Sequence, residues 1–148
     1  MKFIIETRKS KDEILQIIQK NTSEHKGILF GNNGEVFYGK IFEYSFKIQR
    51  NINYKNSFLP VIIGNIDETG SATKVTIKMR LTLFAKGFTS FWFAFVIIYC
   101  IMMPFIQFDM PFFLIPYIML AFGILFVASL CKYETKKAKE ILEKLLKQ

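Results

Sequence analysis

The densest group of hydrogen-bonding side chains lies in one short segment, residues 50–57. Its polar members are Arg50, Asn51, Asn53, Lys55, Asn56 and Ser57. Apolar runs flank this segment on both sides, so we interpret it as a connection between two strands. Two interpretations stay open: a solvated loop, or a loop that contacts lipid headgroups or a partner protein, since sheets commonly present binding loops. Basic residues of a later strand could join this candidate contact surface: Lys74, Lys78 and Arg80.

Catalytic and metal-binding patterns are weak. His25 is the single histidine and lies in a polar turn without metal-ligand spacing around it. Asp67 and Glu68 are adjacent carboxylates in a turn, where acidic residues are ordinary. Gly64 and Gly70 are not followed by the lysine that a phosphate-binding loop needs. We therefore predict no catalytic residue, no metal site and no cofactor, and we interpret the protein as not an enzyme.

An almost uncharged block dominates the second half of the chain. Hydrophobic residues make up 51% of the sequence, and 17 of them are Phe. Between Lys86 and Lys132 lie 45 residues whose single charged side chain is Asp109. About 20 apolar residues suffice to cross a bilayer as a helix, whereas one helix through the whole block would be about 65 Å long. We predict a transmembrane hairpin over residues 88–131, with helices at 88–106 and 111–131; the alternative is a buried helical hairpin of a soluble protein.

The distribution of positive charge predicts the orientation of this hairpin. The net charge is +8, and basic residues flank the block on both sides while the link 107–110 has none. Because Lys and Arg accumulate on the cytoplasmic side of membrane proteins, both termini should be cytoplasmic, in a cell (inner) membrane. The apolar run at residues 3–5 is too short for a signal peptide. In this arrangement Cys100 and Cys131 differ in depth by roughly 20 Å, so we expect two free thiols.

The flanks of the block predict an antiparallel sheet of three to five strands. The strand candidates are residues 2–7, 40–50, 58–66 and 73–83. In the last of these, Val75, Ile77 and Met79 alternate with polar residues. This one-sided alternation is typical of an antiparallel sheet with one covered face.

Two amphipathic helices could cover that face. Ser10 and Glu13 have the spacing of a capping box, which predicts a helix over residues 11–20. Residues 135–148 carry an apolar stripe that includes Ala138, Leu142 and Leu146. The expected fold class is therefore an α+β membrane protein. Its cytoplasmic domain is formed by residues 1–87 and 132–148, and the hairpin is inserted before the last helix; alternatively, that last helix lies on anionic lipid.

The segment from Arg50 to Gly64 contains the string Asn-Ser-Phe-Leu-Pro and a following Gly. It resembles small uncharacterised bacterial membrane proteins in which such a string precedes a strand and then a membrane hairpin. The resemblance extends over residues 46–92 and implies architecture, not activity. The order of strands and helices is also similar to that of helix-grip domains, a likeness of fold that assigns no ligand.

Three functions are compatible with this sequence. The first is a non-enzymatic membrane protein whose cytoplasmic domain binds a protein partner, as a subunit, regulator or immunity-type inhibitor. The second is a membrane-anchored module of helix-grip-like architecture that binds lipid or a small ligand. The third, a membrane enzyme or transporter component, is disfavoured because the spans offer no charged ion path. Expected partners are the bilayer and a membrane or cytoplasmic protein; a homo-oligomer stays open, and no basic–aromatic pattern indicates nucleic acid.

Overall fold

The computed structural model describes residues 1–23, 35–52, 56–70, 72–105 and 112–147. His25, Asn53, Lys55, Asp109 and the link 107–110 lie outside these ranges. The elements in chain order are β1 (Lys2–Thr7), α1 (Lys11–Lys20), β2 (Thr22–Ser23), β3 (Phe37–Ile41), β4 (Ser45–Arg50), β5 (Val61–Thr69), β6 (Ala72–Arg80), α2 (Leu83–Met102) and α3 (Ile115–Lys147). Short 3-10 turns follow α2 at Met103–Phe105 and precede α3 at Phe112–Leu114. The fold is α+β, as the sequence predicts.

The described residues form a sheet of six strands in the order β1-β6-β5-β4-β3-β2, and every neighbouring pair except β2–β3 is antiparallel. The prediction of three to five strands was therefore too low. One reason is that the predicted strand 40–50 is a hairpin, in which Phe42 and Ser45 exchange backbone hydrogen bonds across a tight turn. The alternation of apolar residues continues through that turn and conceals it. Phe42 and Tyr44 are consequently exposed, whereas Phe46 and Ile48 are buried.

Strands β5 and β6 form the longest hairpin, paired from Val61↔Arg80 to Thr69↔Ala72. Gly70 provides the positive φ of 63° at its turn, a conformation that glycine adopts without steric cost. The predicted strand 73–83 ends earlier, at Arg80, because the Thr82 hydroxyl accepts a hydrogen bond from the Ala85 N–H and caps α2. Strand β6 thus leads into α2 almost directly.

The hydrophobic core lies on one face of this sheet. Alternate residues of the strands point into it, and α1 contributes Ile14 and Ile18. The C-terminal part of α3 adds Ala138, Leu142 and Leu146, all with no exposed surface. The predicted capping box at the start of α1 is present, with Ser10 and Glu13 each accepting a hydrogen bond from the other's backbone N–H. Both helices therefore pack their apolar stripes on the same sheet face.

Helices α2 and α3 are long and apolar enough to cross a membrane. They pack against each other: a Cβ placed on Gly123 would lie 2.3 Å from the Trp92 ring, and the Tyr117 hydroxyl donates to the Cys100 carbonyl at 3.0 Å. Helix α2 begins at Leu83, five residues before the predicted start. The two helices expected at 111–131 and 135–148 are one continuous helix, α3. The change from apolar to charged composition near Lys132 suggested a boundary, but neither Pro nor Gly occurs there to end the helix.

Candidate functional site

A buried ion pair joins the end of β4 to α3. Arg50 Nη1 lies 2.5 Å from Glu134 Oε2, and the two side chains are 8% and 2% exposed. Removing two charges from water is costly, and the interaction recovers that cost only when each charge meets its partner at close range. This geometry fulfils that condition for Arg50 and Glu134.

Asn56 also binds Glu134. Its Nδ2 donates to Glu134 Oε1 at 2.9 Å, so both carboxylate oxygens accept a hydrogen bond. The Oδ1 of the same side chain accepts from the Phe58 N–H at 2.9 Å, which fixes the start of the turn before β5. We refer to Arg50, Asn56 and Glu134 as the Glu134 cluster. It links the β4–β5 connection to α3 at the level where α3 changes from apolar to charged composition.

Asn51 and Ser57, two other described residues of the predicted polar segment, lie in different surroundings. The Asn51 N–H donates to the Val36 carbonyl at 2.8 Å, and its side chain donates to the Glu35 carbonyl at 3.4 Å. Ser57 is exposed at the turn. Asn53 and Lys55 lie outside the described residues. The polar segment therefore has an inward side, which binds α3, and an exposed side.

Sequence reasoning missed Glu134. A signal was available, because Glu134, Ala138, Leu142 and Leu146 follow each other at intervals of four and so share one helix face. A carboxylate on an apolar stripe needs a buried partner. The predicted C-terminal helix begins one residue later, at Thr135, and therefore does not include Glu134.

The second polar feature is the sheet face opposite the core. The register places one residue from each of five strands in a row: Lys2 pairs with Lys78, Lys78 with Ile63, Ile63 with Lys47, and Lys47 with Lys40. Residues directly opposite in a sheet point to the same side, so four lysines lie in line across the sheet. Arg80 lies on the same side two residues further along β6. We call Lys2, Lys40, Lys47, Lys78 and Arg80 the lysine face.

The three basic residues of β6 that the sequence predicts as contacts lie in two different parts of this sheet face. Lys78 and Arg80 belong to the lysine face, at the end of β6 that leads into α2. Lys74 lies nearer the β5–β6 turn, and its Nζ is 3.4 Å from Glu6 Oε1. Asp67 pairs with Lys74 across the strands. The sheet face is thus cationic at one end and mixed in charge at the other.

Tyr38 and Gln49 adjoin the lysine face. The Tyr38 hydroxyl donates to Gln49 Oε1 at 2.7 Å, and Gln49 Nε2 donates to the Leu59 carbonyl at 3.3 Å. Burial raises the pKa of the Tyr38 phenol above its usual value, so it remains a neutral donor at physiological pH. These hydrogen bonds fix the side chains that border the cationic row.

In the described ranges, no three His, Cys, Asp or Glu side chains are grouped so that they could hold a metal ion. Comparison with protein families, with curated proteins and with solved structures finds no match to this chain. The resemblance of residues 46–92 to small bacterial membrane proteins therefore remains an interpretation of the sequence. The described geometry thus contains a row of lysines on one sheet face and a buried polar cluster that joins the β4–β5 connection to α3.

Proposed function

We propose that this chain is a two-span membrane protein whose cytoplasmic domain binds an acidic surface of a partner protein through the lysine face. The spans are α2 and the apolar part of α3. The observation that carries the proposal is the row of four lysines across five strands, on the face of the sheet that neither α1 nor α3 covers. The domain acts by binding and not by catalysis.

Exposure of the apolar helices supports the membrane placement. In the most apolar stretch of α2, only 17% is buried inside the protein. In the most apolar stretch of α3, only 11% is buried. A core helix of a soluble protein would be mostly buried. Phe91 and Phe95 of α2 are 74% and 65% exposed, and Phe122 of α3 is 66% exposed. In water such a surface would be a large apolar patch, whereas in a bilayer it is the expected lipid-facing surface.

Charge supports the proposed orientation. Residues 1–87 carry 14 basic and 8 acidic side chains, and residues 132–148 carry six basic and three acidic ones. Both regions belong to the sheet-and-helix domain, because Leu142 of α3 lies in the same core cluster as Ile5 of β1. The positive-inside tendency depends on basic residues close to the ends of the spans, and Lys78, Arg80 and Lys86 precede α2 or lie at its start while Lys132, Lys136 and Lys137 follow the apolar part of α3.

A protein partner fits the lysine face better than a flat lipid surface does. Glu6 and Asp67 share this face with the lysines, and an anionic membrane would repel both. Apolar side chains also lie among the charges, with Ile4 55% exposed and Ile63 half-buried. Apolar centres with charged surroundings are usual in protein interfaces, where complementary charge steers association and excludes wrong partners.

The alternative of an internal lipid or small-ligand site is less favoured. Ile14 and Ile18 of α1, Leu142 of α3 and Phe37 and Phe46 of the sheet have no exposed surface and belong to one cluster. The protein's own side chains therefore occupy the space between sheet and helices in which a helix-grip module would hold its ligand.

Site-specific photo-crosslinking in the native cells tests the proposal. A photoreactive residue at Thr76, which borders the lysine face on the same side of the sheet as Lys78, should give one discrete protein adduct. Charge reversal of Lys47→Glu with Lys78→Glu should reduce that adduct at least tenfold, because two attractive contacts become repulsive. The matched control, Lys137→Glu with Lys144→Glu, changes the charge equally on α3 and should leave the adduct unchanged. Equal adduct yield in the two double variants, or no adduct from Thr76, would overturn the proposal.

A further inference from the structure

A groove lies beside α3 where its apolar part meets its charged part. Ala128 and Cys131 line one end of it, and Lys132, Lys136 and Lys139 line the other. Thr135 and Met1, which directly precedes β1, complete the lining. Among the described residues, no acidic side chain is part of this lining. Its two ends thus differ in character, one apolar and one cationic.

Helix geometry places the three lysines on one side of α3. Their spacings of four and three residues put them on neighbouring turns of the same face. At 1.5 Å per residue, Lys132 and Lys139 are about 10 Å apart along the helix axis. The headgroup layer of one leaflet is roughly 5–8 Å thick. The lysines therefore cover a depth comparable to that of a phospholipid headgroup.

The ammonium groups of Lys132 and Lys136 are only weakly engaged by described residues, whereas Lys139 Nζ also lies 5.4 Å from the centre of the Phe3 ring. Lys136 Nζ is 3.9 Å from Glu140 Oε1, with both side chains largely exposed, and Lys139 Nζ is 3.9 Å from Glu143 Oε1. Ion pairs at such distances on a surface contribute little. Lys132 is exposed and has no acidic partner in the part of the chain that the structure describes. The cationic end of the groove thus retains positive charge that an anion could neutralise.

We propose that this groove binds an anionic phospholipid of the inner leaflet. Lys132 and Lys136 hold its phosphate, and its acyl chains lie along Ala128 and the apolar surface beyond it. That surface continues without interruption, because Ile124 and Leu125 one turn further are 53% and 68% exposed. The inference depends on the membrane placement proposed above, since only then does the apolar end of the groove face lipid chains.

The apolar end distinguishes a lipid from a soluble anion. Inorganic phosphate would contact the lysines alone and would leave Ala128 and Cys131 in water. A phospholipid buries both ends at once, and the lysine stems can extend along the groove while their ammonium groups remain at headgroup level. Charge and apolar surface therefore favour the same occupant.

Flotation and lipid retention of the full-length protein test the inference. The protein is reconstituted into phosphatidylcholine vesicles with and without 20% phosphatidylglycerol, and flotation after an alkaline wash measures insertion. Native mass spectrometry of the protein re-extracted in mild detergent then measures the retained lipid. Wild-type protein should retain phosphatidylglycerol at least fivefold over its share of the vesicle. Lys132→Gln with Lys136→Gln should abolish that enrichment, whereas Lys144→Gln with Lys147→Gln, an equal loss of charge further along α3, should preserve it.

Every other outcome overturns either the groove proposal alone or the membrane placement together with it. If wild-type protein floats with both vesicles but shows no enrichment, or if the two double variants behave alike, the groove proposal is wrong while the membrane placement stands. If 10 mM inorganic phosphate removes the enrichment, the groove recognises the anion and not the lipid. If the protein floats with neither vesicle, the membrane placement fails, and the groove proposal fails with it.

Discussion

At the scale of single residues, Glu134 joins α3 to the connection between β4 and β5. Its carboxylate binds Arg50 and Asn56, which belong to the connection between β4 and β5. The sequence indicated that Arg50 and Asn56 form a polar segment, but a list of residue types cannot give the direction of a side chain. That direction is decided by a partner 84 residues away from Arg50 in the chain.

Glu134→Ala should strongly destabilise the domain. It leaves the Arg50 guanidinium buried without a counter-charge, which typically costs about 3–5 kcal/mol. Adding Arg50→Met should recover part of this loss, because the double variant no longer buries a charge. Pulse proteolysis in urea, in mild detergent, measures the free energy of unfolding. Glu140→Ala is the matched control on the exposed side of α3 and should change stability by less than about 1 kcal/mol. Equal stability of Glu134→Ala and Glu140→Ala would show that the buried pair does not support the domain.

At the scale of elements, the sequence predicted types better than boundaries. Helix α1 and its capping box were confirmed, since they depend on neighbouring residues such as Ser10 and Glu13. The hairpin β3–β4 was missed because its turn at residues 42–44 has neither Gly nor Pro to mark it. Likewise α3 was divided at Lys132, since the surroundings of a helix can change from apolar to aqueous while its backbone hydrogen bonds continue. The lysine face was unpredictable for a different reason: it depends on the register of five strands.

Leu142→Asp should unfold the sheet-and-helix domain. Leu142 is fully buried between α3 and the sheet, and burying one Leu is worth about 1.5–3 kcal/mol before the cost of a buried charge is added. Limited proteolysis of the purified protein should then yield cuts within residues 1–80, far from the substitution in sequence. Lys144→Asp, at an exposed position two residues further along α3, should leave the digestion pattern unchanged. If Leu142→Asp leaves residues 1–80 resistant and only weakens binding to anionic vesicles, the end of α3 is a lipid-surface helix.

At the scale of the whole molecule, the protein has two regions whose exposed surfaces differ in character. The exposed surfaces of α2 and of the first half of α3 are apolar, and those of the sheet and of the last turns of α3 are charged. Because α3 is one continuous helix, it connects the two regions, and the Glu134 cluster and the groove lined by Ala128 and Lys132 lie near the transition. A partner bound at the lysine face would therefore be held at a fixed distance from the bilayer.

The measurement that tests this account most directly is thiol accessibility in intact cells. In a Cys100→Ser, Cys131→Ser background, single cysteines are introduced as Gln107→Cys or Lys147→Cys, and the cells are treated with a membrane-impermeant maleimide. We predict labelling of Gln107→Cys in intact cells, and labelling of Lys147→Cys only after the membrane is permeabilised. Labelling of Lys147→Cys in intact cells, or of neither cysteine before permeabilisation, would contradict a two-span protein with a cytoplasmic binding domain.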